Sequence, residues 1–330
     1  MFAVIGTSMS IDQLRPLSLK DYIGQGNAKK SLDLFLQAAK KRKENADHLL
    51  LYGPPGIGKT TLAHIVAHEL GGNIRLTSGP ALERAGDLAA ILTNLKNGDI
   101  LFIDEIHRMP KIVEEALYPV LEEFHLDIVV GKGPAARTVR LPIPHITIVG
   151  ATTRVALLSA PLRDRFGMIL RLEYYTEEEI AHIVTHNAAK LELPLEPDAA
   201  REIAYRSRKT PRIANRILRR ARDLLETSEH KKIHKQLVNE LFSILELDKF
   251  GLFSQDISYL KTLVDKFDGG PVGIETMASA LSEDTKTLEE FIEPYLLQLG
   301  FIKRTPKGRV ATKKTYEHLN QVMPHKHTLL

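Results

Sequence analysis

The chain predicts an α/β fold: a parallel sheet with helices on both faces, then a small helical lid domain and a C-terminal winged-helix domain. Three observations carry this. Residues 53–61 read Gly-Pro-Pro-Gly-Ile-Gly-Lys-Thr-Thr, the spacing GxxxxGK[ST], between a short apolar run and a segment of helical spacing. The apolar run Ile100–Ile103 ends in Asp104-Glu105. Beyond about Thr176 the short apolar runs give way to helical segments.

The first 175 residues alternate strand and helix. His48–Tyr52 enters the glycine loop, Lys59–Leu70 has helical spacing, and Ile100–Ile103, Ile146–Gly150 and Met168–Leu172 read as buried strands. Short apolar runs separated by helices imply a parallel sheet covered on both sides. Residues 176–249 read as helices at Glu177–Lys190, Pro197–Ser207, Pro211–Thr227 and Ile233–Leu247. Pro197 and Pro211 stand where the first turn tolerates proline. In residues 250–330, Ser254–Phe267, Ile274–Leu281 and Leu288–Gln298 are helical, Gly269-Gly270-Pro271 separates the first two, and Gly300–Ala311 reads as two strands joined by a Pro-Lys-Gly turn. Three helices and a hairpin make a winged helix.

Bulk properties narrow the function. A length of 330 residues suits two or three domains. No apolar run approaches the ~20 residues needed to span a membrane. The start, Met-Phe-Ala-Val-Ile-Gly, lacks the basic flank of a secretory signal, so a cytoplasmic location is expected. Cysteine is absent, which excludes disulfides and thiolate zinc sites; a catalytic metal would have oxygen ligands, favouring Mg2+. The net charge of +4 permits nucleic-acid binding without demonstrating it.

The glycine loop turns its amide N–H groups toward phosphates at a helix N-terminus. Lys59 reaches the β- and γ-phosphates, and the Thr60 hydroxyl ligates magnesium. Asp104 orients that metal, and Glu105 polarises the attacking water; both stand at a strand's carboxyl end, where open α/β sheets bind ligands. ATP and Mg2+ are the expected cofactors. His64 and His68 are one helical turn apart but lack a third ligand, so ordinary helix histidines are the better reading; the same holds for His325 and His327. At residues 126–146, Leu126–Gly131 and Thr138–Pro142 predict a hairpin with Val139 and Leu141 on one face; that face is either ordinary core or a protein contact. Phe301–Lys314 holds Lys303, Arg304, Lys307, Arg309, Lys313 and Lys314 and no acid, which suits sequence-independent phosphate contacts on a duplex.

GPPGIGKTTLA, LFIDEIHR, GPAAR, GATTR, PLRDRFG and TPRIANR occur in this order. Over roughly residues 12–318 the chain resembles the RuvB family, bacterial AAA+ P-loop ATPases that drive branch migration of Holliday junctions in recombination and repair. The resemblance implies a homo-hexameric ring on double-stranded DNA, acting with RuvA and the RuvC resolvase. It places Leu14 and Arg15 at the adenine, with Tyr22 and Ile23 nearby, and Gly56, Lys59, Thr60 and Thr61 at the phosphates. Thr153 matches a sensor of the γ-phosphate, and Glu123, Phe124 and His125 match a further nucleotide-proximal stretch. Tyr175 and Arg212 lie at the junction with the lid, Arg212 as a second sensor. Arg165 matches the arginine finger that reaches a neighbour's nucleotide, with Arg163 a weaker candidate. Val139 and Leu141 would dock on RuvA, and Arg304 and Arg309 would contact DNA. The chain departs from the family at Lys209, commonly glycine, at Thr285, where some relatives carry a DNA-facing arginine, and at Ile57, commonly leucine. A clamp-loader-type AAA+ ATPase, or a DNA-binding regulator using ATP as a structural switch, are the alternative readings.

Overall fold

A computed structural model describes residues 14–42, 44–130 and 136–324. The N-terminal hexapeptide, most of the turn at 131–136, and His325 and His327 lie outside the described residues. Contacts divide the chain into two compact units: residues up to Leu193 together with Lys209–Arg216, and Pro194–Arg208 together with Ile217 onward.

In the first unit, β1 (Leu49–Tyr52), β2 (Ile74–Ser78), β3 (Ile100–Asp104), β6 (Thr147–Thr152) and β7 (Met168–Arg171) form one parallel sheet in the order β2-β3-β6-β1-β7. β6 is buried at every residue, and β1 at its first three. That is why these strands read as continuous apolar runs rather than alternating ones. Strand β6 pairs with both β1 and β3, for example Leu50↔Gly150 and Phe102↔Val149. The glycine loop, Asp104 and Thr153 therefore leave the sheet at the same carboxyl edge. Strand β2 was not foreseen. Its residues are half-buried or exposed, as suits an edge strand, and Ile-Arg-Leu-Thr-Ser carries no buried run to reveal it.

Helices α1 (Gly26–Arg42), α2 (Lys59–Leu70), α3 (Ala85–Leu92), α4 (Lys111–Glu123), α5 (Ala160–Asp164) and α6 (Glu177–Lys190) complete this unit. Leu88 and Leu92 of α3, and Val113, Leu117 and Val120 of α4, pack in one core with Leu101 and Ile103 of β3. The antiparallel hairpin β4 (His125–Val130) and β5 (Arg137–Pro142) pairs Leu126 with Leu141 and Ile128 with Val139. Along that shared face Leu126 is fully buried while Val139 is 37% exposed. On the opposite face Val129 is 67% exposed, and Arg140 pairs with Asp127 at 3.0 Å.

The second unit holds α7 (Pro197–Tyr205), most of α8 (Pro211–Thr227), α9 (Lys235–Ile244), and the C-terminal fold. Both proline starts fall where the sequence placed them. The C-terminal fold runs α10 (Ser254–Asp265), α11 (Ile274–Leu281), α12 (Thr285–Thr287), a π-helical turn at Leu288–Ile292, α13 (Glu293–Gln298), the antiparallel pair β8 (Ile302–Thr305) and β9 (Gly308–Ala311), then α14 (Lys313–His318). Tyr259, Leu263, Met277, Leu296 and Phe301 form its core. Helix α14 is an addition to the expected hairpin end: Lys313 and Lys314 open a turn that buries Thr315 and Tyr316.

Candidate nucleotide site

The glycine loop takes its shape from backbone that side chains resist. Gly53 has φ +147°, and a Cβ there would stand 2.3 Å from the Leu172 carbonyl oxygen; Gly58 caps α2 at φ +104°, with the Tyr22 hydroxyl where its Cβ would fall. Ile57 between them is fully buried, an anchor that leucine would also fill. Two tyrosines brace the loop: Tyr175 donates to the Ile57 carbonyl at 3.2 Å and lies 3.1 Å from the Tyr22 hydroxyl. Burial pushes both phenols up, Tyr175 to about 12.

Lys59 opens α2 and is nearly buried. Its Nζ donates to the Gly53 and Pro54 carbonyls, each at 2.8 Å. Burial lowers its pKa to about 8, against the opposing pull of Asp104 and Glu105. A polyphosphate entering this loop meets an ammonium held by two loop carbonyls. Asp104 ends β3 and accepts the Glu105 amide at 3.0 Å. Glu105 sits in the left-handed region at φ +48°, which turns the chain sharply out of the strand. Its carboxylate Oε2 lies 3.4 Å from Nε2 of His107. The Nδ1 of His107 is 2.9 Å from the hydroxyl of Thr152, the buried neighbour of Thr153.

Several other foreseen residues stand near this edge, and one group does not. Arg212 donates its amide to the Gly56 carbonyl at 3.3 Å, and its Cβ abuts Gly56. Tyr175 donates its amide to the Lys209 carbonyl. Lys209 and Arg208 have φ near +55°, the left-handed region where glycine is unstrained; this is the physical reason a glycine suits position 209. Leu14 is buried, and Arg15 Nη1 lies 2.8 Å from His64 Nε2. Glu123 to His125 stand apart from it, at the amino edge of the sheet: His125 is buried, 3.4 Å from Glu123 and 3.5 Å from Asp127, and Phe124 packs against His145 and His48, the residues that precede β6 and β1. Thr60, Thr61 and Thr153 are half-buried.

Arg165 follows α5, whose start is capped by Ser159. It donates to the Pro161 carbonyl at 2.7 Å, pairs with Glu122 at 3.2 Å and lies over the Tyr118 ring at 4.5 Å. None of these partners belongs to the phosphate loop. Arg163 is 3.8 Å from its neighbour Asp164.

At the other end of the chain, the wing arginines converge on an acid that sequence reasoning missed. Glu293 is fully buried and accepts from Tyr259 at 2.8 Å, from Arg304 Nε at 2.9 Å and from Arg309 Nε at 2.9 Å. Arg309 also reaches Glu289 at 3.0 Å. Arg304 keeps 44% of its side chain exposed, Arg309 only 14%. Lys303 and Lys307 are exposed on the wing, while Lys314 donates to the Leu299 carbonyl. Glu293 lies 11 and 16 residues from these arginines, so no local pattern marks it. His107, by contrast, stood inside the LFIDEIHR string with no role attached.

A parallel sheet with a phosphate loop, an Asp-Glu strand end beside it, and a following helical lid define a nucleotide-binding P-loop ATPase of the AAA+ class. Comparison with known proteins narrows the class. The Holliday junction DNA helicase RuvB P-loop domain matches residues 14–172, the RuvB AAA lid domain residues 175–248, and the RuvB C-terminal winged helix domain residues 249–320. The Thermotoga maritima RuvB Holliday junction branch migration motor is 49% identical, the match covering 94% of this chain and 100% of that one at a TM-score of 0.86. A lysine-to-arginine variant of the Thermotoga protein gives 50% identity, 94% and 99% coverage, and a TM-score of 0.87. The chain belongs to the RuvB family and is an ATP hydrolase that binds DNA.

Proposed function

We propose that the protein works as a ring of six copies, with ATP held between neighbours, and draws DNA through a four-way junction presented by RuvA, with the RuvC resolvase joining the complex. The observation that carries the shared-site reading is Arg165: its partners in its own chain include Glu122, Pro161 and Tyr118, a half-buried perch away from its own phosphate loop, from which it can reach a neighbour's nucleotide.

In this reading Lys59 leaves the loop carbonyls for the β- and γ-phosphate oxygens. Thr60 and Asp104 supply hard oxygen donors that fit Mg2+, which when bound neutralises charge on the phosphoryl oxygens. Glu105 takes the proton of the attacking water, Thr153 contacts the γ-phosphate, and the neighbour's Arg165 stabilises the transition state. Leu14 and Arg15 hold the base. Gly56 and Thr61 complete the phosphate contacts, and Tyr175 and Arg212 report the nucleotide to the lid, while Glu123 to His125, at the sheet's amino edge, are left to meet a neighbour's nucleotide. Val139 and Leu141 on the hairpin offer an apolar face to RuvA. On the wing, Glu293 holds Arg304 and Arg309 toward the duplex, and the exposed lysines add phosphate contacts. The domains are taken as 1–175, 176–249 and 250–330. Among the described residues no helix is long and apolar enough to cross a membrane, compatible with work on cytoplasmic DNA.

The test follows ATP hydrolysis and dissociation of a four-way DNA junction in one tube, with and without the cognate RuvA. Hydrolysis stimulated by the junction and coupled to its dissociation is expected. Hydrolysis with no strand movement would favour the clamp-loader reading.

A further inference from the structure

The catalytic-edge geometry contains a connection that the family motifs leave without a role. His107 is two residues beyond Glu105, on the short 3-10 turn Ile106–Arg108 that leaves β3. Its side chain is only 4% exposed. One ring nitrogen faces Glu105 Oε2 at 3.4 Å, and the other faces Thr152 Oγ1 at 2.9 Å. Thr152 is fully buried at the end of β6, and its hydroxyl also accepts the Arg154 amide at 2.9 Å.

For a neutral His107 ring these contacts set the direction of donation, the Glu105 contact being an ion-pair distance of 3.4 Å. A carboxylate only accepts, so Nε2 of the neutral ring must carry the hydrogen toward Glu105. Nδ1 is then the acceptor, and the Thr152 hydroxyl donates to it while its own lone pair takes the Arg154 amide. The chain of donors runs from the Arg154 amide through Thr152 and His107 to Glu105. Thr153 lies between the two residues that anchor it.

We infer that His107 is a positioning residue, which ties the Glu105 carboxylate to the end of β6 so that the water-activating group and the γ-phosphate sensor Thr153 move as one. Glu105 has a left-handed backbone, and a third of its side chain is exposed, so its rotamer is not set by packing alone. A carboxylate displaced by about 1 Å from the attacking water loses about 100-fold in rate, which is the size of effect a positioning contact can carry. The inference rests on the assignment of Glu105 as the base.

Steady-state ATP hydrolysis by the full chain on duplex DNA tests it, together with binding of a fluorescent ADP analogue and thermal melting. His107→Leu and Thr152→Val are expected to lower kcat about 10- to 100-fold, with analogue affinity and melting temperature close to wild type. Thr152→Ser, which keeps the hydroxyl, is expected to retain kcat; a simple packing role for Thr152 would not separate serine from valine in this way. Wild-type kcat in a stably folded His107→Leu protein overturns the proposal, as does a Thr152→Ser protein as slow as Thr152→Val. Glu105→Gln separates the two levels. If it is inert while His107→Leu is fully active, only the positioning role fails. If Glu105→Gln itself turns over at the wild-type rate, the base assignment falls and the positioning role falls with it.

Discussion

His48 shows how a single side chain can be both legible and misleading. In the sequence it is merely the first residue of an apolar run. In the fold its Nδ1 accepts the Ile148 amide at 2.9 Å and its Nε2 faces the Leu121 carbonyl at 3.1 Å, so the neutral ring bridges β6 and the end of α4. Burial lowers its pKa to about 4. The unfolded chain takes up a proton near pH 6.5 that the folded chain refuses until about pH 4. Stability is therefore complete above pH 6.5 and falls as pH drops toward 4, by about 2 kcal/mol at pH 5 and about 3 kcal/mol in total. Denaturant unfolding at pH 7.5 and pH 5 checks this. In His48→Gln that part of the pH dependence should vanish, so its stability deficit against wild type should shrink as pH falls. The proposed catalytic residues Lys59, Thr60, Asp104 and Glu105 were more legible, because each stands in a local backbone geometry that a short string specifies. The resting partners of Lys59 and the perch of Arg165 were not, since each depends on groups brought near by folding.

The C-terminal wing illustrates what a pattern of basic residues leaves open. The run Phe301–Lys314 announced positive charge, but the β8–β9 hairpin turns two of its arginines onto Glu293. A buried carboxylate shared by two guanidiniums and a tyrosine is stable only while all partners remain. Glu293→Gln is expected to cost the C-terminal fold about 3 kcal/mol, by leaving a largely buried Arg309 without its main counter-charge. It should also weaken duplex binding through loss of the arginine geometry. Thermal melting and a binding isotherm measure the two effects. The lysines make a different prediction. Lys303 and Lys307 are exposed, so Lys303→Ala with Lys307→Ala should leave the melting temperature unchanged. The same pair should flatten the slope of log K against log salt by about 1.8, the release of two phosphate contacts. The strand β2 and helix α14 escaped sequence reading for related reasons: one is a half-exposed edge, and the other is a single buried turn inside a basic run.

Across the full chain, the shared-site proposal is the claim with the longest reach. Lys59→Ala lacks the phosphate lysine but keeps Arg165; Arg165→Ala keeps the loop but lacks the finger. Each alone is expected to lose turnover by about 10³-fold or more. Mixed together they should hydrolyse ATP faster than either parent, because some junctions between subunits combine an intact loop with an intact finger. A mixture no faster than its parents would place the whole site within one copy. Order along the chain was enough to reveal the phosphate loop, the acidic strand end, the helical lid and the winged helix, because each is made by contiguous residues with its own periodicity or backbone demand. Three-dimensional packing decided the rest: that β6 stands between β1 and β3, that His107 links Thr152 to Glu105, and that Glu293 governs the wing arginines. Those pairings join residues far apart in sequence, or side chains whose direction only the packed fold sets, and no local pattern encodes them.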